Sequence, residues 1–177
     1  MQSIAIRPLQ YEEIEYIWNI DRREVVERCY YLIDGHLMLK PDFFDIQGWP
    51  PGDYEKYTPI GQDCFRRGGV FFGAFASGKI VGAVILESKF IGKEKDQLQL
   101  TFLHISRDFR GQGLGRRLFE IASQTARQRG AKRLYISATP SENTIRFYFK
   151  MGCTLASEID PQLYALEPED IHLEFIL

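Results

Sequence analysis

Ile4 and Ile6 alternate with polar neighbours ahead of Pro8, and this period of two predicts a short strand over residues 3–9. Ile14, Ile17 and Trp18 then fall at i, i+3, i+4, the spacing of a helix face, and a second helix is expected over residues 21–31. Residues 34–61 carry no such period. Asp34-Gly35-His36, Lys40-Pro41-Asp42 and Gly48-Trp49-Pro50-Pro51-Gly52 interrupt them, so the stretch reads as irregular, surface-covering chain bearing Phe43, Phe44, Trp49, Tyr54 and Tyr57. From Val70 the pattern turns to β. Residues 70–76 and 80–86 flank Ser77-Gly78-Lys79, a hairpin signal, and residues 97–106 form a third run. Leu114, Leu118, Ile121, Ala122 and Thr125 recur at helical spacing, and Gly130 supplies the residue type favoured by a left-handed C-terminal cap. A strand over residues 134–137, a helix opened by Ser141-Glu142-Asn143-Thr144, and strands over residues 153–158 and 171–176 complete the chain. With no repeat and no linker-like tract, residues 1–177 are expected to form a single α+β domain.

Lysine and arginine number 22 against 24 aspartates and glutamates, a net charge of −2. Nothing in that balance draws the chain to nucleic acid, so any phosphate must be held locally. Hydrophobic residues at 45% and charged residues at 26% exclude collagen-like, coiled-coil and largely disordered chains. The longest uncharged run, residues 68–78, is far too short to cross a bilayer, and the first residues lack the apolar core of a secretion signal. A soluble cytoplasmic protein without a membrane partner is expected. Cys29, Cys64 and Cys153 are odd in number, widely spaced and remote from histidine, which predicts reduced, semi-buried thiols and no metal site.

The most informative segment about chemistry leads from the β run ending at Ser106 through Arg110-Gly111-Gln112-Gly113-Leu114-Gly115 into an amphipathic helix. Without Cβ atoms, the glycines let the backbone bend sharply and approach a ligand closely. The first amides of a helix lack intrahelical partners and sit at the positive end of its dipole, a natural seat for a pyrophosphate. Arg110, Arg116 and Arg117 add mobile positive charge. A dinucleotide fingerprint would need a third glycine where Arg116 stands, and no Walker loop occurs. A β-branched residue at Gly113 is expected to block the phosphate's approach.

The same hexapeptide matches the (Arg/Gln)-x-x-Gly-x-(Gly/Ala) signature of the GCN5-related N-acetyltransferases, the GNAT superfamily. Asn143-Thr144-Ile145-Arg146-Phe147-Tyr148-Phe149-Lys150-Met151-Gly152-Cys153 resembles that family's second landmark, with Cys where the family ends in Phe. The resemblance covers residues 70–158 well, whereas the first 69 residues match only in having a strand and two helices. It implies a mixed, mostly antiparallel sheet of about six to seven strands flanked by about four helices and splayed between strands 4 and 5. Acetyl-CoA would be the co-substrate in that gap, with no metal. Leu103, His104 and Ile105 would run along its pantetheine arm, as an added strand would. Arg110, Gly111, Gln112, Gly113, Leu114 and Gly115, with Arg116, would hold the pyrophosphate. Asn143 would bond to the pantetheine or hold the following helix, unless it is a plain helix cap.

The reaction so implied is direct attack of a neutral primary amine on the thioester carbonyl, through a tetrahedral intermediate. Backbone N–H groups near Leu103 to Ile105 would stabilise the oxyanion. Tyr148 matches the family tyrosine that protonates the departing thiolate, as a phenol with pKa about 10 can do. Where some members carry a glutamate base this chain has Gln99, which leaves Glu87, His104 or solvent to take the amine's proton. The acceptor, a small-molecule or peptide amine, would enter over residues 20–65, which carry Asp21, Glu24, Glu27, Asp34, Asp42, Asp45, Asp53 and Glu55. A monomer or homodimer is expected. The alternative is a non-catalytic acyl-CoA-binding regulator of the same fold.

Overall fold

The computed structural model describes residues 3–177. Its elements run β1 (Ile4–Pro8), a 3-10 helix (Tyr11–Asn19), β2 (Glu24–Ile33), β3 (His36–Ile46), α1 (Asp53–Arg66), β4 (Val70–Ala76), β5 (Lys79–Ile91) and β6 (Gln97–Ile105). A second, short 3-10 turn (Arg107–Phe109) precedes α2 (Leu114–Gln128), β7 (Arg133–Ala138), α3 (Glu142–Met151), β8 (Thr154–Leu155), α4 (Pro161–Leu166) and β9 (Ile171–Ile176). Seven strands form one α+β sheet in the order β1-β4-β5-β6-β7-β9-β8, antiparallel except for β6 and β7.

The chain departs from its apparent pattern over residues 21–61. The segment expected as a second helix is β2, and the stretch expected to be irregular contains β3 and α1. Val26 and Cys29 are buried three residues apart because a bulge between Val26 and Arg28 shifts the register, and that spacing imitates a helix face. β2 and β3 form their own antiparallel ribbon. Its turn is Asp34-Gly35, both at positive φ (50° and 77°), the conformation that matches the strands' right-handed twist. Pro50-Pro51-Gly52 ends the irregular chain and opens α1. Beyond β8, which is shorter than expected, α4 was not apparent from periodicity; Asp160 caps it by accepting from the Gln162 and Leu163 amides at 3.0 and 3.1 Å.

The sheet is covered on both faces. On one, Leu118, Phe119 and Ala122 of α2 pack with Val84, Leu98, Leu134 and Ile136. On the other, Ile14 and Ile17 of the 3-10 helix and Cys64 of α1 pack with Phe71 and Ile85. β6 and β7 pair only at Gln97↔Arg133, Leu98↔Leu134 and Gln99↔Tyr135. Beyond Gln99 they separate, so the fourth and fifth strands of the sheet order diverge. The ribbon lies across the wide end, where the Tyr30 amide donates to the Pro140 carbonyl at 2.8 Å and Arg28 pairs with Glu142 at 2.8 Å. The three cysteines are free and buried. Among the described residues, no helix is long and apolar enough to cross a membrane, and no group of three or more His, Cys, Asp or Glu side chains could hold a metal ion.

Candidate active site

The divergence of β6 from β7 opens a cavity of about 900 Å³, walled by Leu100–Ile105 on one side and Ser137–Thr139 on the other, with Tyr148 and Asn143 contributed by α3. The edge of β6 that β7 abandons is available for pairing with an extended ligand, except that Arg110 Nε occupies the Ile105 carbonyl at 2.9 Å. Arg110 also reaches the Arg23 carbonyl at 3.3 Å and Glu24 at 3.5 Å. It is therefore a strut between loop and ribbon, whereas Arg116 is exposed at the cavity mouth.

The mouth itself is built from backbone. Gly111 and Gly113 have φ of 73° and 81°, the left-handed region that side chains disfavour. Both glycines are exposed. The first backbone bond of the following helix runs from the Arg117 amide to the Gly113 carbonyl at 3.1 Å, so among the described residues none of the amides of residues 111–116 donates to a protein acceptor. Gln112 instead uses its side chain to bond the Asp108 carbonyl at 2.9 Å, bracing the loop. Leu114 is buried and offers only its amide. Gly115 is constrained for another reason, since a Cβ there would lie 3.2 Å from Phe147 of α3 and the ring would have to give way. Six unpaired N–H groups beside a helix N-terminus form a preformed anion cradle.

Tyr148 is 6% exposed, packs on Phe119 and Phe147, and has no hydrogen bond to the protein among the described residues. Burial, followed by the charges of Cys153 and Asp170, raises its pKa well above the usual phenol value. Ser141, not Asn143, caps α3. The Asn143 side chain donates to Glu24 at 3.0 Å across the cavity.

The residues considered as proton acceptors separate in space. Glu87 lies outside the cavity, paired with Arg67 at 2.8 Å and accepting from the Ser88 amide at 2.7 Å. Although burial opposes it, these contacts hold its carboxyl down at about 2. Gln99 is at the last paired position before the strands part and does not line the cavity. His104 does line it, with its ring 5.0 Å from Trp49 and 4.7 Å from Phe102. Burial, then the charges of Arg22 and Arg110, push His104 down to about 3, so it is neutral at pH 7.

Two further wall residues carry no local sequence signal. Arg22 lies over the Trp49 ring at 5.0 Å and has no ion pair among the described residues. Asp170, just ahead of β9, accepts from the Ser137 hydroxyl at 3.1 Å. Burial and the adjacent Glu167 raise its carboxyl to about 7. Of the eight acids that the sequence placed over the acceptor's route, only Glu24 lines the cavity.

No curated protein matches the sequence significantly. Solved structures do match in fold. Nourseothricin acetyltransferase aligns over 98% of each chain with a TM-score of 0.71 and 20% identity. The PaiA N-acetyltransferase of Thermoplasma acidophilum, in complex with coenzyme A, aligns over 99% of each chain with a TM-score of 0.64 and 18% identity. A Bacillus anthracis protein assigned as a streptothricin acetyltransferase, in complex with acetyl coenzyme A, aligns over 99% of this chain and 97% of its own, with a TM-score of 0.65 and 17% identity. The family model of the acetyltransferase (GNAT) family matches residues 23–153, a span that takes in the ribbon, the diverging strands, the glycine cradle and the helix of Tyr148. The chain thus belongs to the GNAT acetyltransferase family.

Proposed function

We propose that this protein transfers the acetyl group of acetyl-CoA to a primary amine, by direct attack of the amine on the thioester. The observation that carries the reading is the run of unpaired amides over residues 111–116 at the mouth of a cleft between diverging strands. A diphosphate satisfies such a cradle, and the free edge of β6 suits the amide-bearing arm attached to it. The neighbours solved with coenzyme A or acetyl coenzyme A share this fold.

The bound co-substrate supplies an activated acyl group on sulfur. The protein supplies the rest. The amides of residues 111–116 hold the phosphates with Arg116 beside them, and Leu103, His104 and Ile105 align the arm. A backbone N–H of the same strand edge donates to the developing oxyanion. Tyr148, whose hydroxyl has no competing partner among the described residues and stays protonated at neutral pH, gives its proton to the leaving sulfur.

Thiol release from acetyl-CoA, followed over a panel of primary amines, tests the proposal. Amine-dependent release is the expected result. Coenzyme A binding without release on any amine would instead identify a non-catalytic acyl-CoA-binding regulator.

A further inference from the structure

The two faces of the sheet divide the chemistry. Leu134, Ile136, Ala138, Ile171 and Leu173 all belong to the core beneath α2. Strand alternation turns Tyr135, Ser137 and His172 to the opposite face, where Tyr135 meets His172 at 2.7 Å, and Asp170, just ahead of β9, is held there by the Ser137 hydroxyl at 3.1 Å. Tyr148 packs against Phe119 and so belongs to the α2 face, together with the phosphate cradle that opens α2. Asp170 and Tyr148 nevertheless line one cavity, because the gap between β6 and β7 joins the two faces. Asp170 shares its face with Phe102 and His104, the latter close beneath Trp49 and Arg22.

The other candidate bases are engaged or unsuited. Glu87 is ion-paired outside the cavity, His104 is held neutral with little basicity, and Gln99 is an amide. Glu24 is tied to Arg110 and Asn143. Asp170 is different. One oxygen accepts from Ser137, and the neighbouring Glu167 and Glu169 carboxyls, with Tyr148, are the titratable groups acting on it or acted on by it. The second independent feature is Tyr148, a buried side chain that lines the same cavity and whose hydroxyl has no hydrogen bond among the described residues.

We propose that Asp170, backed by Glu167 and fixed by Ser137, receives the proton of the acceptor's ammonium group from the sheet face opposite Tyr148. This role rests on the acyl-transfer reading above. An ammonium nitrogen loses two protons in becoming an amide. The first passes to the Asp170 carboxylate and on to solvent, freeing the lone pair that forms the bond to the acyl carbon. The second leaves nitrogen after that bond has formed, while the carbon–sulfur bond breaks and Tyr148 protonates the sulfur. Proton recovery by Tyr148 through cleft water balances the step, and the net yield is one amide, one thiol and one proton released.

The test uses the full-length protein, acetyl-CoA and the amine from the panel that wild type turns over fastest. Asp170→Asn should lower kcat/KM by about a hundredfold or more and abolish the rising limb of its pH profile, with acetyl-CoA affinity unchanged. Glu167→Gln should move that limb to lower pH, because the proton on Asp170 is no longer held by a like charge, and Asp170→Glu should restore part of the rate. A purely structural role would move none of these limbs. Carbon-13 titration of the aspartate carboxyls in wild type needs no acceptor, and should show one midpoint near neutrality that vanishes in Asp170→Asn. Wild-type rate and profile in Asp170→Asn, a limb unmoved in Glu167→Gln, or an Asp170 midpoint in the ordinary carboxylate range would each overturn the assignment alone. Absence of thiol release by wild type on every amine would remove the acyl-transfer reading and this role together.

Discussion

Gly113 tests whether the cradle is held by backbone conformation. Its φ of 81° places it in the left-handed region, while a Cβ added there would meet no protein atom within 4 Å. Gly113→Ala therefore creates no clash, and its whole effect is conformational. An L-residue in that region costs roughly 1–2 kcal/mol. If the loop relaxes by leaving it, the amides of residues 111–116 no longer converge. The binding-competent fraction then falls, and affinity for coenzyme A falls by about 5–30-fold. Gly113→Asn should lose less, because asparagine tolerates the left-handed region through its own short polar side chain. Calorimetric titration with coenzyme A provides the measurement, and thermal unfolding should show that neither variant is broadly destabilised. Wild-type affinity in Gly113→Ala would refute the reasoning. Equal losses in Ala and Asn would show that the side chain itself obstructs the ligand, as the sequence alone suggests, and that φ is not the cause.

Tyr148→Phe removes a hydroxyl that has no hydrogen bond among the described residues, so stability and coenzyme A affinity should hold while turnover drops about a hundredfold. Unchanged turnover, read as thiol release, would exclude Tyr148 from proton transfer. Glu87→Gln breaks the pair with Arg67, and its consequence is stability rather than catalysis. Because the folded carboxyl titrates at about 2, below its ordinary value near 4.5, the stabilisation is present above pH 4.5 and disappears as pH falls toward 2. Urea unfolding should find the variant weaker at pH 7 by on the order of 1–2 kcal/mol, after solvent screening of the exposed Arg67 side, with the difference closing at low pH. A pH-independent difference would mean that packing, not charge, is responsible.

Much of the site was legible because its parts are local. Arg110 to Gly115 act through their own backbone angles, and the helix that follows is marked by its apolar period, so a short stretch of sequence suffices to specify a cradle. Ser141 and Tyr148 lie on one helix with recognisable capping and packing positions. The β2–β3 ribbon was misread because its bulge converts a period of two into an apparent period of three, although Asp34-Gly35 carried the hairpin signal. The division between Gly113 and Gly115 was not legible either. One is favoured for its angle and the other for the close ring of Phe147, thirty-two residues distant in sequence.

The sequence by itself determined the order of strands and helices from Val70 to the end of α3, the glycine corner and the tyrosine, since each depends on neighbours a few residues away. Only the tertiary structure decided which acids matter. It drew Glu87 into an ion pair outside the cleft, and it brought Asp170, just ahead of the last strand, to the cavity of Tyr148 and His104. A carboxyl's proton affinity depends on the charges and solvent around it, and those are set by chain segments that meet only on folding.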